Sequence, residues 1–260
     1  MIISGRPISK GKARGKVLRL KEAFSFLGGV DGSTGELRVE NGGNVFGRVL
    51  VFPRGKGSTV GSFTMYDLKV HNKHPAAVIN NSAETIVATG AVISSIPMVD
   101  KIDVDILRDG DDVTVDGGTG KITIHNAKLI RCVSSVILVK GKILMLKRPY
   151  SASSFPGVWS LVAGKMEKNE SPDSAAVREI SEETGLKVSA PTAKIDLILV
   201  REKDVIWEVH PYLFVHDSSN VKLNCENTQH KWIRPGDIEK VNTVTSTVSA
   251  VRELLSKIAP

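Results

Sequence analysis

Cysteine is nearly absent from this 260-residue chain, which contains two, Cys132 and Cys225. Two thiols cannot complete a four-cysteine iron–sulfur site or a zinc site made of thiolates alone. Any cluster used by this protein must therefore be ligated by another chain, and both cysteines are expected to be buried apolar residues. Long apolar runs are missing too, since none approaches the roughly 20 residues that span a bilayer, so no membrane partner is expected. An excess of one charge is also lacking. The 35 basic and 28 acidic residues leave a net charge of +7, shared almost evenly between the halves, so neither half is a basic arm. The cluster Lys10, Lys12, Arg14, Lys16, Arg19 and Lys21 reads as a solvated basic face, and nucleic-acid binding is not expected. The opening MIISGRPISKGKARGK has no apolar h-region or small-residue cleavage site, so a cytoplasmic location is expected.

A hydrophobic fraction of 41% and a charged fraction of 24% describe an ordinary soluble globular chain, and its length suits two domains. In the first half, a strand at 48–52 (RVLVF), a glycine-rich loop, a helical stretch at 63–70 and a strand at 76–79 give βαβ-like punctuation. A short helix at 84–88 follows. Then two strands joined by an Asp-Gly-Gly turn close the domain near His125. A new pattern opens at Leu129 with a hairpin, 136–139 and 143–146, around Lys140-Gly141-Lys142. Strands are expected later at 195–200, 205–209 and 212–215, and a final helix presents Val248, Val251, Leu255 and Ile258 on one face. The expected domains are 1–128 and 129–260.

The segment from Gly164 to Leu186 carries the chemistry. Ser171-Pro172 supplies an N-cap and a proline at the first helical position, and Gly185 a left-handed stop, which predicts a helix over 172–184. At about 100° per residue, Glu179, Glu182 and Glu183 share one face. Like charges at that spacing repel, so a cation is expected among them. Magnesium prefers such oxygen ligands, and the negative end of the helix dipole adds to the attraction. Arg178 lies beside Glu182 on the helical wheel.

This segment resembles the Nudix hydrolase motif: Gly164, five residues, Glu170, seven residues, Arg178-Glu179, Ile180, one residue, Glu182-Glu183, one residue, Gly185 and Leu186. The stretches 155–163 and 226–233 look like family strands flanking it. The resemblance implies an α/β/α sandwich with a mixed sheet. It also implies hydrolysis of a nucleoside-diphosphate-type substrate with Mg2+ or Mn2+, for which Glu179, Glu182 and Glu183 are the metal ligands. Glu179 or Glu183 would assist the attacking water. Gly164, Glu170 and Arg178 would support the site. Glu226 would either support it, as a base from outside the motif, or cap a loop. Arg148, Trp159 and His210 would either meet the substrate or serve packing and surface roles.

In the first half the loop Pro53-Arg54-Gly55-Lys56-Gly57-Ser58-Thr59 follows a strand and opens a helix. It gathers amides, a lysine and two hydroxyls, and is either an anion site or a plain turn. With Gly47 to Pro53, Pro75 to Ile79, Glu84-Thr85-Ile86 and Gly90 through Pro97, it is similar to the small, swivelling β/β/α subunit of aconitase-X-type dehydratases, the group that includes the archaeal phosphomevalonate dehydratase. That resemblance implies Ser58 as the catalytic base, with Arg54, Lys56 and Thr59 near the substrate. It also implies a cluster-bearing large subunit as partner. The alternative is an accessory dehydratase subunit whose Nudix domain only binds a nucleotide or isoprenoid phosphate.

Overall fold

In the computed structural model, which describes residues 1–39 and 42–258, the chain divides into two compact α/β units that meet between Lys128 and Leu129. The first unit contains β1 (Ile2–Ser4), β2 (Arg6–Ser9), β3 (Lys12–Arg19), a single turn α1 (Phe26–Gly29), β4 (Val49–Arg54), α2 (Gly61–Val70) and β5 (Ala77–Ser82). It continues with α3 (Thr85–Ile93), β6 (Met98–Asp100), β7 (Asp112–Asp116) and β8 (Lys121–Ile124). Strands β3, β4, β5 and β6 run parallel. The central strands β4 and β5 open with unbroken apolar runs because helices and loops cover the sheet there: Val49, Leu50, Val51, Phe52, Val78 and Ile79 are all fully buried. Each large side chain of this kind contributes roughly 1.5–3 kcal/mol. Phe24, Phe26 and Phe52 meet edge to face, with ring centroids 5.1–6.1 Å apart.

β3 serves two neighbours. Lys12 to Lys16 pair antiparallel with β7, and Val17 to Arg19 pair parallel with β4. The basic residues of β3 therefore lie on an exposed strand face, where Arg14 donates to both oxygens of Asp112 at 3.0 and 2.7 Å. β1 and β2 lie at the two ends of the eight-strand order β1-β8-β7-β3-β4-β5-β6-β2, although only Gly5 separates them in the chain. The sheet thus closes on itself at Gly5. A Cβ there would lie 2.2 Å from the Asp100 carbonyl oxygen, so the close approach demands glycine. Beside this seam the buried Asp100 accepts Arg6 Nε at 2.9 Å, Arg6 Nη2 at 2.7 Å and the Ala83 amide at 2.9 Å.

The second unit contains β9 (Lys128–Val139), β10 (Lys142–Lys147), β11 (Trp159–Ser160), β12 (Val162–Lys165), α4 (Pro172–Thr184), β13 (Ala193–Lys194), β14 (Ile198–Glu202), β15 (Val205–Val215), β16 (Gln229–Ile233) and α5 (Thr245–Ser256). β9 is the central strand. Its first part pairs with β12 and its last residues with β10, and it neighbours β15 in the sheet. One apolar cluster joins Val133, Ile137, Ala176 and Ile180 of β9 and α4, and the other joins Val136, Leu213, Val251 and Leu254 of β9, β15 and α5. Two helical layers therefore flank the sheet.

Four expectations need correction. β1, β2 and the full β3 precede the first strand read from the sequence. The helix at 84–88 continues to Ile93. Residues 205–215 form one strand, not two: Pro211, which lacks an N–H, falls where pairing passes from β14 to β13, so it breaks no ladder bond. Cys132 is buried but Cys225 is exposed, because it lies in the loop between β15 and β16. Among the described residues, no helix is long and apolar enough to cross a membrane.

Candidate functional site

Helix α4 has the termini its sequence dictates. The Ser171 hydroxyl accepts the Ser174 amide, Pro172 opens the first turn, and Gly185 ends the helix at φ 68°. Burial then separates the three glutamates. Glu179 and Glu183 are 7% and 3% exposed, whereas Glu182 is exposed to solvent.

Glu179 lies over the backbone of β12. A Cβ on Gly164 would fall 1.8 Å from the Glu179 carboxyl carbon, so the glycine of the motif is where this carboxylate rests. Arg178 holds the acidic groups in place: Nε and Nη2 donate to the two oxygens of Glu170, each at 2.9 Å, Nη1 donates to Glu179 at 2.8 Å and to Glu182 at 3.1 Å, and Nη2 also reaches the Lys165 carbonyl. Glu170 additionally accepts the Glu167 amide, and these bonds, with the Arg178 charge, hold its carboxyl below the usual range. Glu183 accepts the Asn227 side-chain amide at 2.8 Å and the Ala163 amide at 3.3 Å. Nothing singled Asn227 out in the sequence, because its role depends on a loop brought in from 44 residues away.

The electrostatics are unbalanced. Burial, then the neighbouring Glu179 and Glu226, push Glu183 up to about 8 against the opposing pull of Asn227 and Ala163. Burial likewise raises Glu179, outweighing Arg178, with Glu182 and Glu226 adding to the rise. Among the described residues, no three acidic, histidine or cysteine side chains are gathered as a ready-made metal cluster. The fit to a cation lies in the donor chemistry. Desolvated carboxylate oxygens that repel one another suit a hard divalent ion, which takes oxygen ligands and keeps waters of its own.

A cleft of about 510 Å³ runs along these residues, lined by Gly164, Arg178, Glu179, Glu182 and Glu226 on one side. Elsewhere its wall comes from the loop before β11 and from β14 and β15. Phe155 and Trp207 approach there with ring centroids 6.4 Å apart and planes at 47°. Phe155 has φ 45°, a conformation that costs a bulky residue on the order of 1–3 kcal/mol and persists only where surroundings enforce it. The enforcing contacts are clear: Arg148 donates to the Ser154 carbonyl and hydroxyl at 3.1 and 3.3 Å, Phe155 N–H donates to Glu202 at 3.1 Å, and Lys147 Nζ donates to the Gly157 carbonyl at 2.5 Å.

The sequence-derived residues therefore fall into three sets. Gly164, Glu170, Arg178, Glu179, Glu182 and Glu183 come together, with Glu226 on the same cleft. Arg148 lines the cleft but holds its loop. Trp159 lies apart, its indole flanked by Lys231 at 4.0 Å and Lys147 at 5.4 Å and packed on the core beneath α5, and His210 turns to Glu208 at 3.3 Å beside a separate shallow depression.

In the first unit the loop after β4 exposes Arg54, Lys56, Ser58 and Thr59 at the start of α2. Ser58 Oγ accepts the Val60 amide at 3.3 Å, and its carbonyl accepts the Gly61 amide at 2.9 Å. A Cβ on Gly57 would strike the Ser25 hydroxyl at 2.6 Å, and φ there is 105°, so this turn requires glycine.

Comparison with known proteins agrees with these two units. The model of the aconitase X swivel domain matches residues 2–124, and that of the NUDIX domain matches residues 128–254. Over 128 residues the chain is 52% identical to the phosphomevalonate dehydratase small subunit of Thermococcus kodakarensis, covering 48% of this chain and 96% of that one. Among solved structures, Thermococcus kodakaraensis aconitase X in its holo form is 50% identical with a TM-score of 0.47, covering 48% of this chain and 98% of that one. The MutT protein of Methanosarcina mazei Go1 is 20% identical with a TM-score of 0.47, covering 52% and 99%. The chain belongs to the aconitase X swivel family through its first unit, and its second unit carries a NUDIX domain.

Proposed function

We propose that the second unit hydrolyses a phosphoanhydride bond of a nucleoside-diphosphate-type substrate with Mg2+ or Mn2+. The observation that carries this reading is the pair of buried, mutually repelling carboxylates, Glu179 and Glu183, the first of which lines a ligand-sized cleft. Glu179, Glu182 and Glu183 would hold the cation, which when bound neutralises phosphate oxygen charge and lowers the pKa of a water. The chain's own residues prepare that event. Arg178 fixes Glu179 and Glu182 relative to Glu170, Asn227 and Ala163 orient Glu183, and Glu179 or Glu183 accepts the proton of the attacking water. Glu226 faces the same cleft and adds negative charge. The test is release of phosphate or nucleoside monophosphate from a nucleotide panel by the purified chain, with and without magnesium. Turnover that is unaffected by chelation would overturn the reading.

A second reading concerns the first unit and rests on Ser58, exposed at the start of α2 beside Arg54, Lys56 and Thr59. The matched relative is named as a small subunit of a dehydratase. Ser58 would abstract a proton beside a carboxylate, its charge offset by Lys56, Arg54 and the loop amides. A hydroxyl leaving group also needs a Lewis acid, and residues 1–128 contain no cysteine to hold an iron–sulfur cluster. We therefore propose dehydration only in company with a cluster-bearing large subunit. Co-expression with such a subunit should give a complex whose dehydration Ser58→Ala abolishes while the hydrolase persists. Dehydration by the isolated chain, or by the variant complex, would refute it.

A further inference from the structure

The cleft wall away from α4 carries two aromatic rings and few of the side chains that most often read a base by its edges. Base identity is usually read by directional donors and acceptors, above all the paired groups of Asn and Gln, whereas stacking accepts any base because every base has a π-face. Among the described residues, no Asn, Gln, Asp, His or Tyr lines this cleft. Apart from Lys165, Glu226 and the α4 residues at its acidic end, its lining is aliphatic side chains, serine and threonine hydroxyls, Cys132, Arg148 and the pair Phe155 and Trp207. Arg148, the basic residue nearest this pair in sequence, is engaged with Ser154.

The pair is also fixed in advance. Trp207 lies in the β14–β15 hairpin opposite Val200, and Glu202 of the same hairpin accepts the Phe155 N–H at 3.1 Å. One hairpin therefore carries one ring and holds the loop of the other. The Lys147 bond to the Gly157 carbonyl fastens that loop from its other side and helps to enforce the left-handed φ of Phe155. Such fixing lowers the ordering that binding must pay for.

From this arrangement we infer that Phe155 and Trp207 are the specificity-determining clamp of the hydrolase, which selects a substrate carrying a flat ring and is nearly indifferent to which base the ring is. Glu202 is a positioning residue for Phe155. The inference rests on the hydrolase reading above and deepens it.

The experiment uses the full chain with magnesium, the triphosphates of adenosine, guanosine, cytidine and uridine, and isopentenyl diphosphate as a ring-free control. The four nucleotides should show KM values within about threefold of one another. Phe155→Ala and Trp207→Ala should each raise all four about tenfold, with kcat held and with the ring-free control unmoved. Trp207→Phe should restore the KM, and Glu202→Gln, which keeps an acceptor, should be milder than Glu202→Ala. A hundredfold preference for one base, or unchanged KM in both alanine variants, would overturn the clamp and leave the hydrolase standing, whereas a ring-free diphosphate as the better substrate would overturn the clamp and the nucleoside part of the hydrolase reading together. Tryptophan fluorescence separates the two ideas: the four nucleoside monophosphates, added without metal, should quench wild type and not Trp207→Phe. Quenching of that kind without hydrolysis of any nucleotide would sink the hydrolase reading and support the clamp, whereas absence of both would overturn both.

Discussion

At the scale of single residues, the second unit concentrates its chemistry where one atom more or less matters. Glu183→Gln keeps the shape and the acceptor for Asn227 but removes a charge, so turnover should fall at least about a hundredfold, with circular dichroism unchanged. Near-wild-type turnover would remove Glu183 from the site. Gly164→Ala acts at the facing position. Its methyl group would occupy the space of the Glu179 carboxylate, only 1.8 Å from its carbon, and displacing a catalytic group by about 1 Å can cost a hundredfold. We expect kcat to drop by about that factor, and a variant with normal kcat would show that Glu179 tolerates the move.

At the scale of elements, the Arg6–Asp100 pair ties β2 to β6. Burial opposes the charge on Asp100, but the bonds from Arg6 and the Ala83 amide outweigh it and hold its carboxyl below the ordinary value. A depressed folded pKa means that the stabilisation is present at neutral pH. It is lost as pH falls from about 3.9, the unfolded value, through the folded one. Asp100→Asn should therefore lose about 1–3 kcal/mol at pH 7, as urea denaturation would measure, and the gap from wild type should close in strong acid. An equal gap at pH 7 and pH 2 would contradict the charge-based account. The elements also show what the sequence made legible. Helix α4 could be read from its ends, because Ser171, Pro172 and Gly185 act on their immediate neighbours. β1 and β2 could not, since strands of three and four residues have too little periodicity and are defined by partners about a hundred positions away. Asn227 and the Phe155–Trp207 pair were hidden for the same reason, being assembled from loops and strands distant in the chain. For Trp159 the sequence left substrate contact and packing both open, and the structure packs it against the core through β11.

At the scale of the molecule, the core clusters of the second unit draw all their members from residues after 128. We predict that residues 129–260 fold and hydrolyse on their own. An aggregated or inactive fragment, with the intact chain active, would show that the hydrolase depends on the first unit.

The closure at Gly5 imposes an order in time. During translation the segment 1–9 emerges well before its hydrogen-bonding partners in β6 and β8, which lie near residues 98–100 and 121–123. At roughly 5–20 residues per second the ribosome delivers those partners on the order of ten seconds later. The first strands of this unit therefore have to wait for its last ones, with two strand edges open until they dock. The second unit has no such debt to segment 1–9 and can start folding behind it. The interval before the ring closes is thus when this protein is most in need of a chaperone.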